Sequence, residues 1–172
     1  MTTGERRPLP VAPRPFDQEL LGGWIGRIAA RYRMTVDEFA VQTGIELDGY
    51  NGGAGWLLLP PQPAGSLQLL ADIACLDVAA LKAIEIPENW TYARRSYLYC
   101  PRCVFLNPVD VFAPYWKRAW LDPAAAHCAV HDMPLQALAR GSVRSCGNLT
   151  QLLDRVSRYE KERLRQYDPT LR

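Results

Sequence analysis

Apolar positions along this chain change period several times, and each change marks an element. Leu20, Leu21, Trp24, Ile25, Ile28 and Ala29 recur at the three-and-four spacing of a helix, with Asp17 where an N-cap would stand. Gly22, Gly23 and Gly26 weaken that helix, so packing has to hold it. A second short helix starts at the "TVDE" capping box of residues 35–38, turns Val36, Phe39 and Ala40 inward, and stops near Gly44. Residues 47–65, "LDGYNGGAGWLLLPPQPAG", are too rich in glycine and proline for a regular element and read as a connecting loop. Its apolar patch, Trp56 to Leu59, either packs back onto the helices or meets a partner.

A second helical pair follows in "SLQLLADIACLDVAALKAI". Ser66 is the expected cap of one helix, with Leu67, Leu70, Ala71 and Ala74 inward, and Asp77 caps the next, with Val78 and Leu81 inward. Cys75, within the apolar run, is expected to be a small buried hydrophobe. Helix, tight turn, helix is also the shape of a DNA-reading helix-turn-helix. Both pairs have that outline, and the first also carries Arg27, Arg31 and Arg33. At the other end, "NLTQLLDRVSRYEKERLRQY" forms a terminal helix with Asn148 as cap and Gln151 as its box partner. Leu149, Leu152, Leu153 and Val156 make its apolar stripe; Arg155, Arg158, Lys161, Arg163 and Arg165 load the rest with positive charge. That helix is either a solvated amphipathic surface or a binder of nucleic acid or a partner.

Prolines at 8, 10, 13 and 15 make the first sixteen residues an extended arm, because each ring fixes φ and pushes the preceding residue out of the helical region. The expected organisation is therefore an arm (1–16), a helical domain (17–90), a Cys/His module (91–140) and a basic helix (141–172). With 172 residues and 48% hydrophobic content, the chain can bury one good core or two small modules, and one large catalytic domain is not expected. The fold class expected is mainly α with a small zinc-ribbon-like β module, an α+β arrangement.

Charge changes this picture more than its total of +2 suggests. Residues 34–90 hold eight acidic groups against Lys82 alone, whereas residues 140–172 hold eight basic groups against four acidic ones. A polyanion would meet the basic segments and be repelled by the middle. No apolar run approaches the roughly 20 residues of a membrane span, and the N-terminus lacks a signal-peptide core, so a cytoplasmic setting is expected. Five cysteines, an odd number, argue for metal-bound or reduced thiolates rather than a disulfide framework.

Cys100 and Cys103 form a C-x-x-C knuckle; Cys128 and His131 form a C-x-x-H pair of the same reach, 24 residues on. Two such knuckles supply the four sulfur and nitrogen ligands of tetrahedral zinc, Zn2+. A thioredoxin-like site would need a βαβ setting and a cysteine at a helix start, whereas "SYLYCPRC" reads as strand followed by a turn. A zinc deaminase would need His-x-Glu, and neither His127 nor His131 is followed by Glu. The site is thus expected to be closed, structural and non-catalytic. His127 is a competing ligand, disfavoured by the symmetric two-residue gaps. Cys146 belongs to a depleted second site or is free. Between the knuckles, Tyr115, Trp116, Lys117, Arg118 and Trp120 interleave aromatic and basic groups; Trp120 is expected in the core, with Lys117 and Arg118 as candidates for an anionic partner.

Taken in order, the arm and first helix "LPVAPRPFDQELLGGWIGRIAARY", the segment "LLADIACLDVAALKAIEI", and then "YCPRC", "YWKRAW" and "CAVHDMPL" resemble the TniQ family of transposition proteins. Two departures stand out: glycines replace the usual serines in "GGWIG", and the cysteine pair often found after the histidine is reduced to Cys146. The resemblance implies a non-catalytic adaptor. Such an adaptor binds a target selector or target DNA and recruits an AAA+ ATPase regulator, which brings the transposase complex. Short members resemble those working beside an RNA-guided CRISPR effector. By position, the resemblance carries the zinc ligands to Cys100, Cys103, Cys128 and His131, and makes Trp24 core and Arg27 surface. A stand-alone zinc-containing DNA-binding regulator is the alternative.

Overall fold

Trp24, Ile25 and Ile28 are wholly buried along α1 (Leu21–Arg31), the face that their spacing predicts. The structure is a computed structural model that describes residues 8–48, 55–90, 96–105 and 114–167. The start of the arm (1–7) and the centre of the loop (49–54) therefore lie outside the described residues. After α1 come α2 (Val36–Thr43), α3 (Ala64–Ala74) and α4 (Val78–Lys82), then β1 (Ser96–Tyr99) and α5 (Pro101–Phe105). The chain continues with β2 (His127–Cys128), β3 (Met133–Pro134), β4 (Gln136–Ala139), α6 (Arg140–Arg144) and α7 (Leu149–Tyr167). About half the chain is helical, and β1 pairs antiparallel with β4 while β2 pairs antiparallel with β3. The expected mainly helical fold with a small β module is what the chain adopts. No described helix is long and apolar enough to cross a membrane.

Local signals set several boundaries. Thr35 accepts from the Glu38 N–H at 3.1 Å while Glu38 accepts from the Thr35 N–H at 2.7 Å, a complete capping box, and Gly44 ends α2 with φ +65°. Asp77 caps α4 by accepting from the Ala79 N–H at 2.8 Å. Asn148 accepts from the Gln151 N–H at 3.1 Å, although the Gln151 side chain reaches Gly147 rather than Asn148.

Other boundaries differ from the pattern. Asp17 does not cap α1; Gln18 turns the chain at φ +62°, Glu19 bridges to Lys117, and the helix begins only at Leu21. Tertiary pairing has taken over the backbone groups that a cap would serve. Ser66 lies inside α3, whose helix starts at Ala64 after Pro63, and its hydroxyl donates to the Glu46 carbonyl at 2.9 Å. Cys75 is exposed: it is the left-handed C-cap of α3 at φ +53°, so the helix ends before its side chain can turn inward.

One hydrophobic core includes residues of all these segments, from Leu20 to Val156. Trp56 explains two of the three glycines of α1. It lies across Gly22 and Gly26 so closely that a Cβ at Gly26 would meet its ring, at 2.8 Å from Cη2, while its indole N–H donates to the Cys146 carbonyl at 2.6 Å. The patch from Trp56 to Leu59 thus packs back onto the helices, all four residues being buried. The described part of the arm is docked rather than free. Leu9 N–H donates to Ile73, Tyr32 bonds both backbone groups of Val11, and the Trp24 indole donates to the Pro13 carbonyl at 2.8 Å.

Candidate functional site

Strand β1 delivers Cys100, and Pro101, suited to a first helical turn, starts the short α5 that carries Cys103. The C-x-x-C therefore does sit at a helix start, contrary to the turn expected from its sequence. What separates it from a redox pair is the second knuckle. Cys128 ends β2, the Asp132 N–H donates back to the Cys128 carbonyl at 2.8 Å, and Asp132 takes a left-handed φ of +44° to close the turn.

The ligand atoms of Cys100, Cys103, Cys128 and His131 all lie within 4.8 Å of one another. His131 Nδ1 is 3.5 Å from Cys100 Sγ, 3.3 Å from Cys103 Sγ and 3.8 Å from Cys128 Sγ, and the Cys103 and Cys128 sulfurs are 3.6 Å apart. Tetrahedral zinc with sulfur at about 2.3 Å and nitrogen at about 2.0 Å has ligand-to-ligand edges of roughly 3.5–3.8 Å. The donor set fits a metal ion of that size. It also fits electrostatically: three buried cysteines and one imidazole crowd together with no disulfide to join the sulfurs. Burial pushes the Cys100 thiol up and the Cys103 thiol up to about 12, the latter against the pull of the Lys117 ammonium. For Cys128 the upward push of burial is outweighed by hydrogen bonds from the His131 backbone and ring and the Val130 backbone, which bring it down to about 7. A divalent cation resolves this crowding by stabilising thiolates. His127 is exposed on the edge of the β2–β3 pair, so Cys128 and His131 are the residues of this segment that join the first knuckle.

Around the clasp the aromatics are structural. Trp116 and Trp120 are buried, their rings meet edge to face at 5.9 Å, and the Trp116 indole donates to the Leu98 carbonyl at 3.1 Å. Cys146 is buried too, its thiol donating to the Ser142 carbonyl at 3.1 Å.

The basic candidates divide into two groups. Several are occupied within the molecule. Arg27, expected at the surface, has a side chain only 11% exposed: it pairs with buried Glu19 at 2.7 Å, donates to the Arg14 carbonyl at 2.8 Å, and lies over the Phe16 ring at 4.4 Å. Arg118 donates to the carbonyls of Ala83 and Glu85 just beyond α4, at 2.8 and 3.2 Å. Arg163 pairs with Glu160 at 2.8 Å, and Lys117 stands 5.9 Å from the centre of the Tyr115 ring. The second group faces outward: Arg31 and Arg33 at the end of α1, and Arg158, Lys161 and Arg165 along α7, with Arg155 half-buried beside them. Glu160 was not singled out by sequence reasoning. Yet it continues the buried stripe of Leu149, Leu152 and Val156 by one turn, which marks an acidic residue on an inward face.

A family model for TniQ matches residues 10–135, most of the chain. The chain belongs to the TniQ family. It is accordingly a transposition-associated accessory protein, and the matched segment runs from the arm through the second knuckle of the clasp. No curated protein and no solved structure matches it. In this TniQ chain the Cys3His group, which could hold a metal ion, lies within the family segment, while the basic helix α7 lies outside it.

Proposed function

We propose that this chain is a non-catalytic transposition adaptor with Zn2+ as a structural ion. It links a target site on DNA to an AAA+ ATPase regulator and, through that regulator, to the transposase complex. Membership of the TniQ family, with the four-ligand clasp inside the matched segment, is the observation that carries this reading. Zinc bound by Cys100, Cys103, Cys128 and His131 would have a full set of four protein ligands, and its contribution is to hold β1, α5 and the β2–β3 turn together. These residues do no bond-breaking work; they fix the shape of a docking surface. The charge division supports two-sided binding: the acidic stretch of residues 34–90 suits a protein partner, and the basic end suits a polyanion.

The test is reconstitution. Full-length zinc-loaded protein is mixed with the AAA+ regulator of the same transposition system on DNA, and ATPase assembly is followed by electron microscopy and co-sedimentation. Changed assembly is expected; no binding to the regulator would sink the adaptor reading. Sequence-selective duplex binding without any partner would instead favour a stand-alone DNA-binding regulator. Adding an RNA-guided effector complex to the same mixture tests it as a further partner.

A further inference from the structure

A cleft of 290 Å³ opens between α6 and α7, lined by Leu138, Ser142, Arg155, Arg158, Tyr159 and Glu162. Two arginines one turn apart on α7 face one hydroxyl from α6 and one from Tyr159, with Glu162 as the single opposing charge. Arg155 is half-buried, and its Nε has no hydrogen-bond partner although it is shielded from solvent. An N–H withdrawn from water and left without an acceptor is destabilising, the more so on a charged group, so such a group calls for an acceptor from outside the fold. Arg27, Arg118 and Arg163 each have carboxylate or carbonyl partners, and Arg158 donates from Nε to the Asp154 carbonyl of its own helix at 3.4 Å; the Nε of Arg140, in α6, is buried without a partner like that of Arg155. The cleft lies in the segment of net charge +4, residues 140–172.

We infer that this cleft is a phosphate-binding site that grips a backbone phosphodiester of nucleic acid, with Arg155 and Arg158 as its cationic fork and Ser142 and Tyr159 as hydroxyl donors. Guanidinium groups suit this ligand because their planar N–H pairs match two phosphate oxygens at once. Two guanidinium groups beside two hydroxyls favour a phosphate rather than a base, so the site positions a strand without reading its sequence. The inference deepens the adaptor reading, because it says where that adaptor would hold nucleic acid.

The experiment uses the full, zinc-loaded chain and fluorescence anisotropy with a 20-base-pair duplex of arbitrary sequence, titrated at several salt concentrations. Arg155→Gln with Arg158→Gln should weaken binding about 10-fold or more and lower the salt slope by about 1 to 2, whereas Arg14→Gln with Lys82→Gln, the same loss of charge at exposed positions elsewhere, should have a much smaller effect. Equal losses in the two double variants would overturn the cleft, since they would report net charge alone. Because Arg155 is half-buried, Arg158→Gln and Ser142→Ala are measured alongside, with circular dichroism to confirm folding; both should weaken binding, and unchanged affinity in both overturns the proposal. Inorganic phosphate and single-stranded DNA and RNA are the remaining arms. Competition by millimolar phosphate that is lost in the arginine variants supports the site. Phosphate binding at the cleft with duplex affinity unchanged in the variants shows a free-anion pocket and overturns it. Failure here leaves regulator recruitment intact, and failure of recruitment leaves the phosphate site intact, so the two outcomes are distinguishable.

Discussion

The phenol of Tyr99 donates a 2.5 Å hydrogen bond to the carboxylate of Glu160, 61 residues further along the chain. Tyr99 immediately precedes the first candidate metal ligand, Cys100, and Glu160 sits on the inward face of α7, where its second oxygen accepts from Arg163 at 2.8 and 3.1 Å. The bond ties the clasp to the C-terminal helix. Burial, then the neighbouring carboxylate, pushes Tyr99 ionisation far above the ordinary tyrosine range, so the phenol remains a donor at any working pH.

Tyr99→Phe removes that donor and leaves a buried carboxylate with Arg163 alone. It should cost about 1–3 kcal/mol of stability. Thermal unfolding measures the loss, and hydrogen exchange should show it concentrated in α7. Unchanged protection of α7 would show that the helix is held by its leucines alone.

Removing the metal should loosen the region around β1, α5 and the β2–β3 turn, because binding and folding share one free energy, on the order of 10 kcal/mol in small zinc peptides. Chelation is expected to increase protease sensitivity there and to alter Trp116 and Trp120 fluorescence. Cys103→Ser and His131→Ala should lower bound zinc below one equivalent in metal analysis, while His127→Ala should leave it at one. The thiols release protons on binding, so affinity should rise with pH through the Cys128 range near 7.

Arg27→Met strands the buried Glu19 carboxylate. Burial already raises the Glu19 pKa above its usual value despite Arg27. A carboxyl raised in the folded state binds more protons than in the unfolded chain, so its penalty is present above the folded pKa and fades as pH falls through it. The variant should lose about 3–5 kcal/mol at neutral pH and recover part of that in mild acid. Denaturant midpoints between pH 7 and pH 5 are the check; a loss independent of pH would mean that packing on Phe16 dominates.

Gly26→Ala should destabilise the fold by about 1–3 kcal/mol, although alanine is the better helix former, because the new methyl group meets the Trp56 ring. In a Trp56→Leu background the same change should be neutral or favourable. A double-mutant cycle in melting temperature measures that coupling, and additivity would count against the contact.

The helical faces were legible because burial on a helix follows a local period: Trp24, Phe39, Leu70 and Leu152 all stand where spacing puts them. The clasp was legible for a similar reason, since a two-residue gap between ligands is short enough to be satisfied by one turn. Asp17, Ser66 and Cys75 were misread because capping and burial at element ends depend on what the rest of the chain offers. Glu19, Gln18 and Leu20 spend their backbone groups on Lys117, Arg118 and Trp116, which no local pattern reveals.

By itself, then, the sequence determined the helices' inward faces, the four candidate metal ligands and the separation of acidic middle from basic end. These are properties of composition and short spacing. Only the tertiary structure decided which cations are available: it committed Arg27 to Glu19 and Arg163 to Glu160, and left Arg155 beside an open cleft. Charge is carried by a residue, but its freedom to bind is set by partners that folding brings from far away in the chain.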